Sequence, residues 1–183
     1  MKKRITRCLA LLLAVVMVLS VMPVAMAEET TQTTWTKTTL SDIKEADTIA
    51  ITMTKGNDTW VLPNNNGTKS APAAITGTVS GNTMTTTEKD IFSWNIKKGT
   101  DSFRIFSAVE NTKYLYSQSS NNGIRVGTGE NADWIVDDET GYLKNVTLTR
   151  YMGVYSSQDW RSYTSLHANI AGQTLTFWKL DAA

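Results

Sequence analysis

The chain has 183 residues, 41% of them hydrophobic and 19% charged, and it carries 18 Lys and Arg, 17 Asp and Glu and one His. Without its basic N-terminal segment, 14 basic and 17 acidic residues remain, a net charge of about −3, with no run of Lys and Arg. This balance argues against nucleic acid as a partner, and the roughly 155 remaining residues suit one domain with a sizeable core.

Residues 1–27 have the layout of a secretory signal peptide. The apolar run 9–21 follows four basic residues and leads to Ala25 and Ala27, after which we expect cleavage. An uncleaved membrane anchor is the alternative, although a membrane span needs about 20 apolar residues. Cys8, the one cysteine, would leave with the signal. We therefore expect a secreted, cysteine-free, extracellular monomer of bacterial origin, with no membrane association after cleavage.

Residues 28–45 predict a polar leader ahead of the folded domain. The stretch 28–39, EETTQTTWTKTT, is rich in Thr and predicts an exposed segment. The following LSDIKEAD, residues 40–47, predicts one short helical turn, because Leu40, Ile43 and Lys44 share a helical face. The sequence therefore places a single domain at residues 46–183.

From residue 49 onward, apolar residues alternate with polar ones in short runs separated by turns. Period-two alternation that is rich in β-branched and aromatic residues indicates strands with one buried face. Asn-Gly and Gly-Asn clusters lie between the runs and favour tight hairpins. Among the alternating runs are Ile49-x-Ile51-x-Met53, Phe92-x-Trp94-x-Ile96, Ile124-x-Val126 and Leu175-x-Phe177. The fold class predicted is all-β.

A weak repeat divides this region into three units, residues 46–99, 100–139 and 140–181, each with about four short strands. Each unit ends on a Trp-x-aliphatic element, at Trp94, Trp134 and Trp178, which are 40 and 44 residues apart. Units of about 40 residues that cannot bury their apolar faces alone favour a closed threefold assembly. The repeat predicts that the three Trp side chains share one buried layer, and separate cores would argue against it.

On these elements the chain resembles a β-trefoil, the fold of ricin-type lectins, fascins and soybean-type protease inhibitors. The segment 134–157, WIVDDETGYLKNVTLTRYMGVYSS, carries the resemblance best, with an end strand, a turn and a new unit. The first unit has about a dozen extra residues around 71–87. The Gln-x-Trp ending of ricin-type units is absent, since the units end FSW, ADW and TFW. A six-stranded barrel or a two-sheet sandwich is the alternative architecture.

A second resemblance is local. The stretches LSDIKEADTIAI, RYMGVYSSQDWRSYTS and LTFWKLD are similar to pieces of small all-β modules in secreted proteins of gut-dwelling Firmicutes and Bacteroidetes. This resemblance implies an accessory extracellular role and transfers no catalytic residue.

The sequence offers no constellation for catalysis. Its one His, His167, has Ser165 two residues away, on the opposite face of any strand, and we expect His167 at the surface. Zinc sites need clustered His and Cys. The acidic run 137–139 predicts a solvated turn, with a weak Ca²⁺ site as the alternative. We therefore expect a protein that is not an enzyme and binds no cofactor or metal.

Binding is the function that remains, and residues 155–163 are the candidate site. Sugar sites combine an aromatic face with polar groups that bind hydroxyls, and this segment contains both types. Trp160 falls in a loop where the other units have Asn and Gly, and it is either an exposed platform or a plug over the barrel end. Tyr151 aligns with Trp60 and Tyr114 of the other units, which favours a core position for it. The predicted ligand-binding residues are Tyr155, Gln158, Asp159, Trp160, Arg161 and Tyr163.

Carbohydrate is the first predicted ligand, and an extracellular protein is the second. Some trefoils inhibit proteases through one protruding loop, and the candidate is residues 63–74, PNNNGTKSAPAA, stiffened by Pro63 and Pro72. A plain surface loop is the other interpretation of this segment. An adhesion or structural unit without a small ligand is the third functional possibility.

Overall fold

The computed structural model describes residues 32–182, which contain strands, turns and one short helix. The elements in chain order are β1 (Thr33–Thr38), β2 (Ile49–Lys55), β3 (Asp58–Val61), β4 (Ile75–Thr76), β5 (Thr78–Ser80), β6 (Thr83–Thr86), α1 (Lys89–Phe92), β7 (Trp94–Lys98), β8 (Phe103–Ser107), β9 (Tyr114–Ser117), β10 (Ile124–Gly127), β11 (Trp134–Val136), β12 (Leu143–Asn145), β13 (Arg150–Tyr155), β14 (Asp159–Tyr163) and β15 (Thr174–Leu180). The predicted signal peptide, residues 1–27, lies outside the described residues. Within the described part of the chain, no helix has the length and apolar character needed to cross a bilayer.

The strands form one antiparallel sheet, and the all-β prediction is confirmed. The main path runs β14-β13-β12-β11-β8-β7-β2-β15-β1-β6-β5, with β3 and β4 attached to β2, and β9 and β10 attached to β8. Hairpins connect strands that are neighbours in sequence, as short turns favour. The sheet is open, because no ladder joins β12 to β15 within the described residues. The trefoil prediction is therefore not established by the sheet alone.

The predicted exposed leader is wrong for residues 33–38. These residues form β1, which pairs with β15 on one side and β6 on the other. Trp35 is fully buried there, and its Nε1 donates to Thr86 Oγ1 at 3.0 Å. The Thr residues that made the segment look polar are good strand formers, and one inward Trp is enough to anchor a strand of six residues. The domain thus begins before residue 46.

Two apolar clusters fill the two faces of the sheet. The larger contains Ile49, Ile51 and Met53, and the smaller contains Ala50 together with Trp35, Val61, Met84, Phe92 and Trp178. Strand β2 therefore contributes alternate side chains to both clusters, and its first five residues are all buried. Burial on both faces makes β2 the central strand of the domain.

The predicted layer of three Trp side chains is wrong for Trp178. Trp94 and Trp134 are buried in the larger cluster, where their indole N–H groups donate to Leu62 O at 2.9 Å and Leu115 O at 3.1 Å. Trp178 lies in the smaller cluster and donates to Thr52 Oγ1 at 2.8 Å. Its neighbour Phe177 faces the larger cluster instead. Successive strand residues point to opposite faces, so the third unit differs from the others by one residue of register.

The extra residues of the first unit and the predicted helical turn also have definite places. Strands β5 and β6 form a hairpin whose turn residue Gly81 has φ +59°, a left-handed conformation that suits glycine. Residues 40–47 form turns and not a helix. Thr39, which precedes these turns, donates its Oγ1 hydrogen to Asp42 Oδ2 at 2.6 Å, and Ile43 within them is buried. The β5–β6 hairpin extends the sheet beyond β1.

Candidate binding site

A polar cleft of about 440 Å³ opens where three distant segments meet. Its walls are residues 69–71 from the loop between β3 and β4, residues 121–123 with Arg125 from the β9–β10 hairpin, and Asp159 with Arg161 from β14. The two surfaces that the sequence suggested as rivals, residues 63–74 and 155–163, therefore contribute to the same cleft.

Backbone hydrogen bonds fix β14 between the other two segments. Trp160 N donates to Pro72 O at 2.8 Å, and Ala74 N donates to Gln158 O at 3.0 Å. On the other side, Ser162 N donates to Asn122 O at 2.9 Å. Because alternate strand residues face opposite ways, Asp159 and Arg161 line the cleft while Trp160 and Ser162 are buried.

The prediction of Trp160 as an exposed sugar platform is wrong. Its side chain is 0% exposed and belongs to the larger cluster. The alternative interpretation of Trp160, a buried plug, agrees better with this position. The alignment placed Trp160 in a loop because the other units have Asn and Gly there, but the structure has a strand at this position. A fully enclosed indole cannot stack on a ligand.

The other five predicted residues have three different environments. Tyr155, Asp159 and Arg161 lie together, with the Arg161 guanidinium 4.1 Å from the centre of the Tyr155 ring. Gln158 is exposed in the turn before β14. Tyr163 is buried and stacks on His167 with 5.2 Å between ring centres, and His167 is exposed, as predicted. Tyr163 is thus a structural residue and does not line the cleft.

Asp159 and Arg161 form a bidentate ion pair on the cleft wall. Arg161 Nε lies 2.6 Å from Asp159 Oδ1, and Nη2 lies 3.1 Å from Oδ2. The hydrogen bond to Asp159 raises the pKa of Arg161 above its usual value, against the opposing effect of burial. Two parallel charge-assisted bonds hold both side chains in one orientation, so the pair is a rigid element of the site.

The sequence interpretation missed Arg125 and assigned Lys69 to the separate loop 63–74, although both are cations of this cleft. Arg125 Nη1 donates to Ile124 O at 2.7 Å, and its Nε is buried. Gly123 allows this arrangement, because a Cβ there would collide with Gln118 Oε1 and approach Arg125 Nη1 to 2.9 Å. No pattern in the sequence links residues 69 and 125, which lie in different units.

Three of the buried polar side-chain atoms without a partner belong to residues on the cleft wall or in contact with it. Between residues 32 and 182, the four such side-chain atoms are Asn66 Oδ1, Gln118 Oε1, Arg125 Nε and Trp160 Nε1. Asn66 donates its amide to Ser70 O at 2.7 Å, and Ser70 is on the cleft wall. Buried polar groups in folded proteins are nearly always paired. Their clustering here marks this region as the candidate site.

The turn beside the cleft is strained. Ser156 and Ser157 have φ values of 46° and 56°, and Gln158 N closes the turn on Tyr155 O at 2.8 Å. A turn with positive φ at both central residues favours Gly, Asn and Asp at these positions. Each left-handed residue other than glycine costs about 1–2 kcal/mol. The strain is next to Tyr155 and Asp159, where it fixes the start of β14.

The acidic run 137–139 forms a turn, as predicted. Thr140 Oγ1 donates to Asp137 Oδ2 at 2.7 Å and Lys144 Nζ to Oδ1 at 3.0 Å, and these bonds, that of Thr140 first, lower the pKa of Asp137. Of the residues that the structure describes, no three His, Cys, Asp or Glu side chains are grouped so that they could hold a metal ion.

Comparisons with known proteins leave the chain without an assigned family. No protein-family model matches it, and no curated protein matches it significantly. Among solved structures it is similar to a salivary protein from Culex quiquefasciatus that belongs to the Cysteine and Tryptophan-Rich (CWRC) family. The identity is 13% over 74% of this chain and 98% of that chain, with a TM-score of 0.45. A score this low does not establish a common fold, and we transfer no function from it.

Proposed function

We propose that this chain is a secreted, non-catalytic binding module and that its ligand is a carbohydrate bound in the cleft. The observation that carries the proposal is the convergence of polar side chains from three segments on one open cleft. Small-ligand sites are typically concave surfaces with a small number of polar groups in fixed positions. The ordered Asp159–Arg161 pair gives the cleft both an acceptor and donors.

Recognition in this cleft depends on hydrogen bonds more than on ring stacking. Trp160 is enclosed, and the Tyr155 ring is covered by Arg161. The amides of Asn121 and Asn122 are exposed at the rim and can donate to or accept from sugar hydroxyls. A saccharide bound through its hydroxyls fits this wall better than a flat apolar ligand does.

Binding to a glycan array tests the proposal. The full chain, expressed for export and purified from the medium, is compared with the double variant Asp159→Asn, Arg161→Gln, which keeps the net charge. We expect the variant to lose about tenfold or more in affinity, equivalent to roughly 1.4 kcal/mol.

The matched control is Arg104→Gln, Asp133→Asn, which removes a second bidentate pair with bonds of 2.7 and 3.2 Å outside the cleft. This variant should bind like the unmodified protein. Absence of binding to every host and microbial glycan, or equal losses in both double variants, would contradict the proposal.

A protein ligand is the second candidate, favoured by the loop at residues 63–74. Thr68, Lys69 and Ser70 are exposed at its tip, while Asn64 and Pro72 are buried on either side. The Asn64 amide donates to Asp90 O and Ser93 O, both at 2.8 Å. Inhibition of extracellular proteases by the full chain, abolished when residues 68–70 are replaced by Gly-Ser-Gly, would support this role in place of carbohydrate binding.

We propose an extracellular location from the signal peptide predicted at residues 1–27. Expression with the native N-terminus in a bacterial host should release protein into the medium. N-terminal sequencing should then begin at Glu28. Retention in the membrane fraction with an intact N-terminus would instead favour the anchor.

We also propose that the domain is a modified trefoil. In support, each of three units has a central hairpin, β3–β4, β9–β10 and β13–β14. The outer strands of the first two units pair as β2–β7 and β8–β11, and adjacent units join through β7–β8, β11–β12 and β15–β2. The position of Trp178 and the opening between β12 and β15 argue against equal units. Backbone NOEs between β12 and β15 would support closure, and their absence would contradict it.

A further inference from the structure

We propose that the cleft selects saccharides that carry an anionic group, a carboxylate or a sulfate, and that Lys69 and Arg125 bind that group. The inference rests on the proposed carbohydrate binding and specifies the class of ligand.

Positive charge is concentrated at the cleft. Residues 32–182 contain 14 Lys and Arg against 15 Asp and Glu, whereas the cleft wall has the cations Lys69, Arg125 and Arg161 and one carboxylate, Asp159. Arg161 and Asp159 neutralise each other through their two hydrogen bonds. Two positive charges remain, and neither Lys69 nor Arg125 forms an ion pair with any other described side chain.

Arg125 is the stronger of the two anchors. It is half-buried, its Nη1 is bonded to a carbonyl, and its buried Nε has no acceptor among the described residues. A partly buried charge without a counter-ion is unfavourable. An anion in the cleft would relieve that cost, and the planar guanidinium matches carboxylate and sulfate oxygens better than an ammonium does.

The rest of the wall favours a saccharide over an acidic peptide. Ala71 is the one apolar side chain among the described residues that line the cleft. Peptide grooves usually add apolar pockets for side chains, and this cleft has amides and a hydroxyl from Asn121, Asn122 and Ser70 instead. These groups suit the hydroxyls that surround the acidic group of a sugar.

Isothermal titration of the full exported chain with matched pairs of probes tests the inference. The carboxylate arm compares hexagalacturonate with its methyl ester and sialyllactose with lactose. The sulfate arm compares sulfated cellohexaose with cellohexaose. We expect the acidic member of at least one pair to bind about tenfold tighter or more, with the advantage shrinking as salt is raised. The arm that responds identifies the anionic group.

Single substitutions test whether Lys69 and Arg125 bind the anionic group. Arg125→Gln and Lys69→Gln should each weaken binding of the acidic probe about tenfold while changing that of its neutral partner less than about twofold. Arg104→Gln and Lys37→Gln remove the same charges elsewhere on the surface and should leave affinity unchanged. Lys69 is exposed, so its variant reports on binding even if Arg125→Gln lowers the thermal unfolding midpoint.

The contradicting results separate the two proposals. Equal affinity for acidic and neutral members of every pair would overturn the anion inference and leave carbohydrate binding intact. No binding of any saccharide would overturn the proposed function itself. Hexaglutamate bound as tightly as the acidic sugars, or equal losses in the control variants, would show that the cleft responds to charge alone and contradict a saccharide site.

Discussion

Trp160 and Arg161 are neighbours in the chain with opposite environments. Trp160 is fully enclosed in the larger cluster, and Arg161 lines the cleft above it. The indole therefore supports the strand that presents the ion pair and contacts no ligand. Its buried Nε1 has no hydrogen-bond partner within the described residues. The contribution of Trp160 is thus its volume and not its polar group.

Substitution at Trp160 should separate these two properties. Trp160→Ala should lower the free energy of unfolding by about 3–5 kcal/mol, because it leaves a large cavity. Trp160→Phe should cost clearly less, because it keeps most of the ring and removes an unpaired donor. Urea denaturation followed by circular dichroism measures both values. Equal losses in the two variants would contradict the conclusion that Trp160 contributes through its volume.

At the scale of elements, the β13–β14 hairpin combines good pairing with a strained turn. Five residue pairs join the strands, from Tyr151 with Tyr163 to Tyr155 with Asp159. The turn residues Ser156 and Ser157 both have positive φ. Strain of this kind persists only where surrounding structure holds it, and here the ladder and the contacts of β14 with Pro72 and Asn122 do so.

Relief of this strain should stabilise the protein. Ser157→Gly should raise the free energy of unfolding by about 0.5–1 kcal/mol, since glycine adopts positive φ freely and loses part of that gain through its more flexible unfolded state. Ser165→Gly, in an exposed turn without positive φ, is the control and should be neutral or slightly destabilising. Thermal and urea unfolding measure the difference. A destabilised Ser157→Gly protein would contradict the strained geometry.

At the scale of the whole molecule, local patterns predicted strands well and long-range contacts poorly. Alternation identified β2, β7 and β10, because the burial period of a strand is visible within five residues. It could not place Trp178, since Phe177 and Trp178 are both apolar and either could face the larger cluster. Trp35 was missed because its neighbours are polar. Only part of the cleft was predicted as one site, because Asp159 and Arg161 are two residues apart in sequence whereas Lys69 and Arg125 are 56 residues apart.

Stability should fall in acid through carboxylates that are ion-paired in the fold. The hydrogen bond from Lys179, at 2.8 Å, is the main cause that lowers the pKa of Asp47. A pKa that is lower in the folded state stabilises the protein at pH values above the unfolded pKa of about 3.9. This stabilisation is lost as the pH falls through the folded pKa. Asp47→Asn should therefore reduce stability at pH 7 and flatten its decline below about pH 4.

Lys179→Gln should flatten this decline in the same direction but less, because it removes the ion pair and leaves the Lys44 N–H bond to Asp47 in place. Urea midpoints measured from pH 7 to pH 2.5 for both variants and the unmodified protein give the comparison. Unchanged slopes in both variants would show that Asp47 does not couple folding to pH.

Because the cleft walls come from residues 69–71, 121–125 and 159–161, no fragment shorter than residues 69–161 contains the whole site. Any partly folded species that lacks one segment would have no affinity for the ligand. A bound ligand would then oppose only the opening of the complete domain, by an amount that grows with its concentration over its dissociation constant. Because the described residues contain no cysteine and therefore no disulfide, occupancy of the cleft would lengthen the lifetime of the protein wherever proteases act on opened chains.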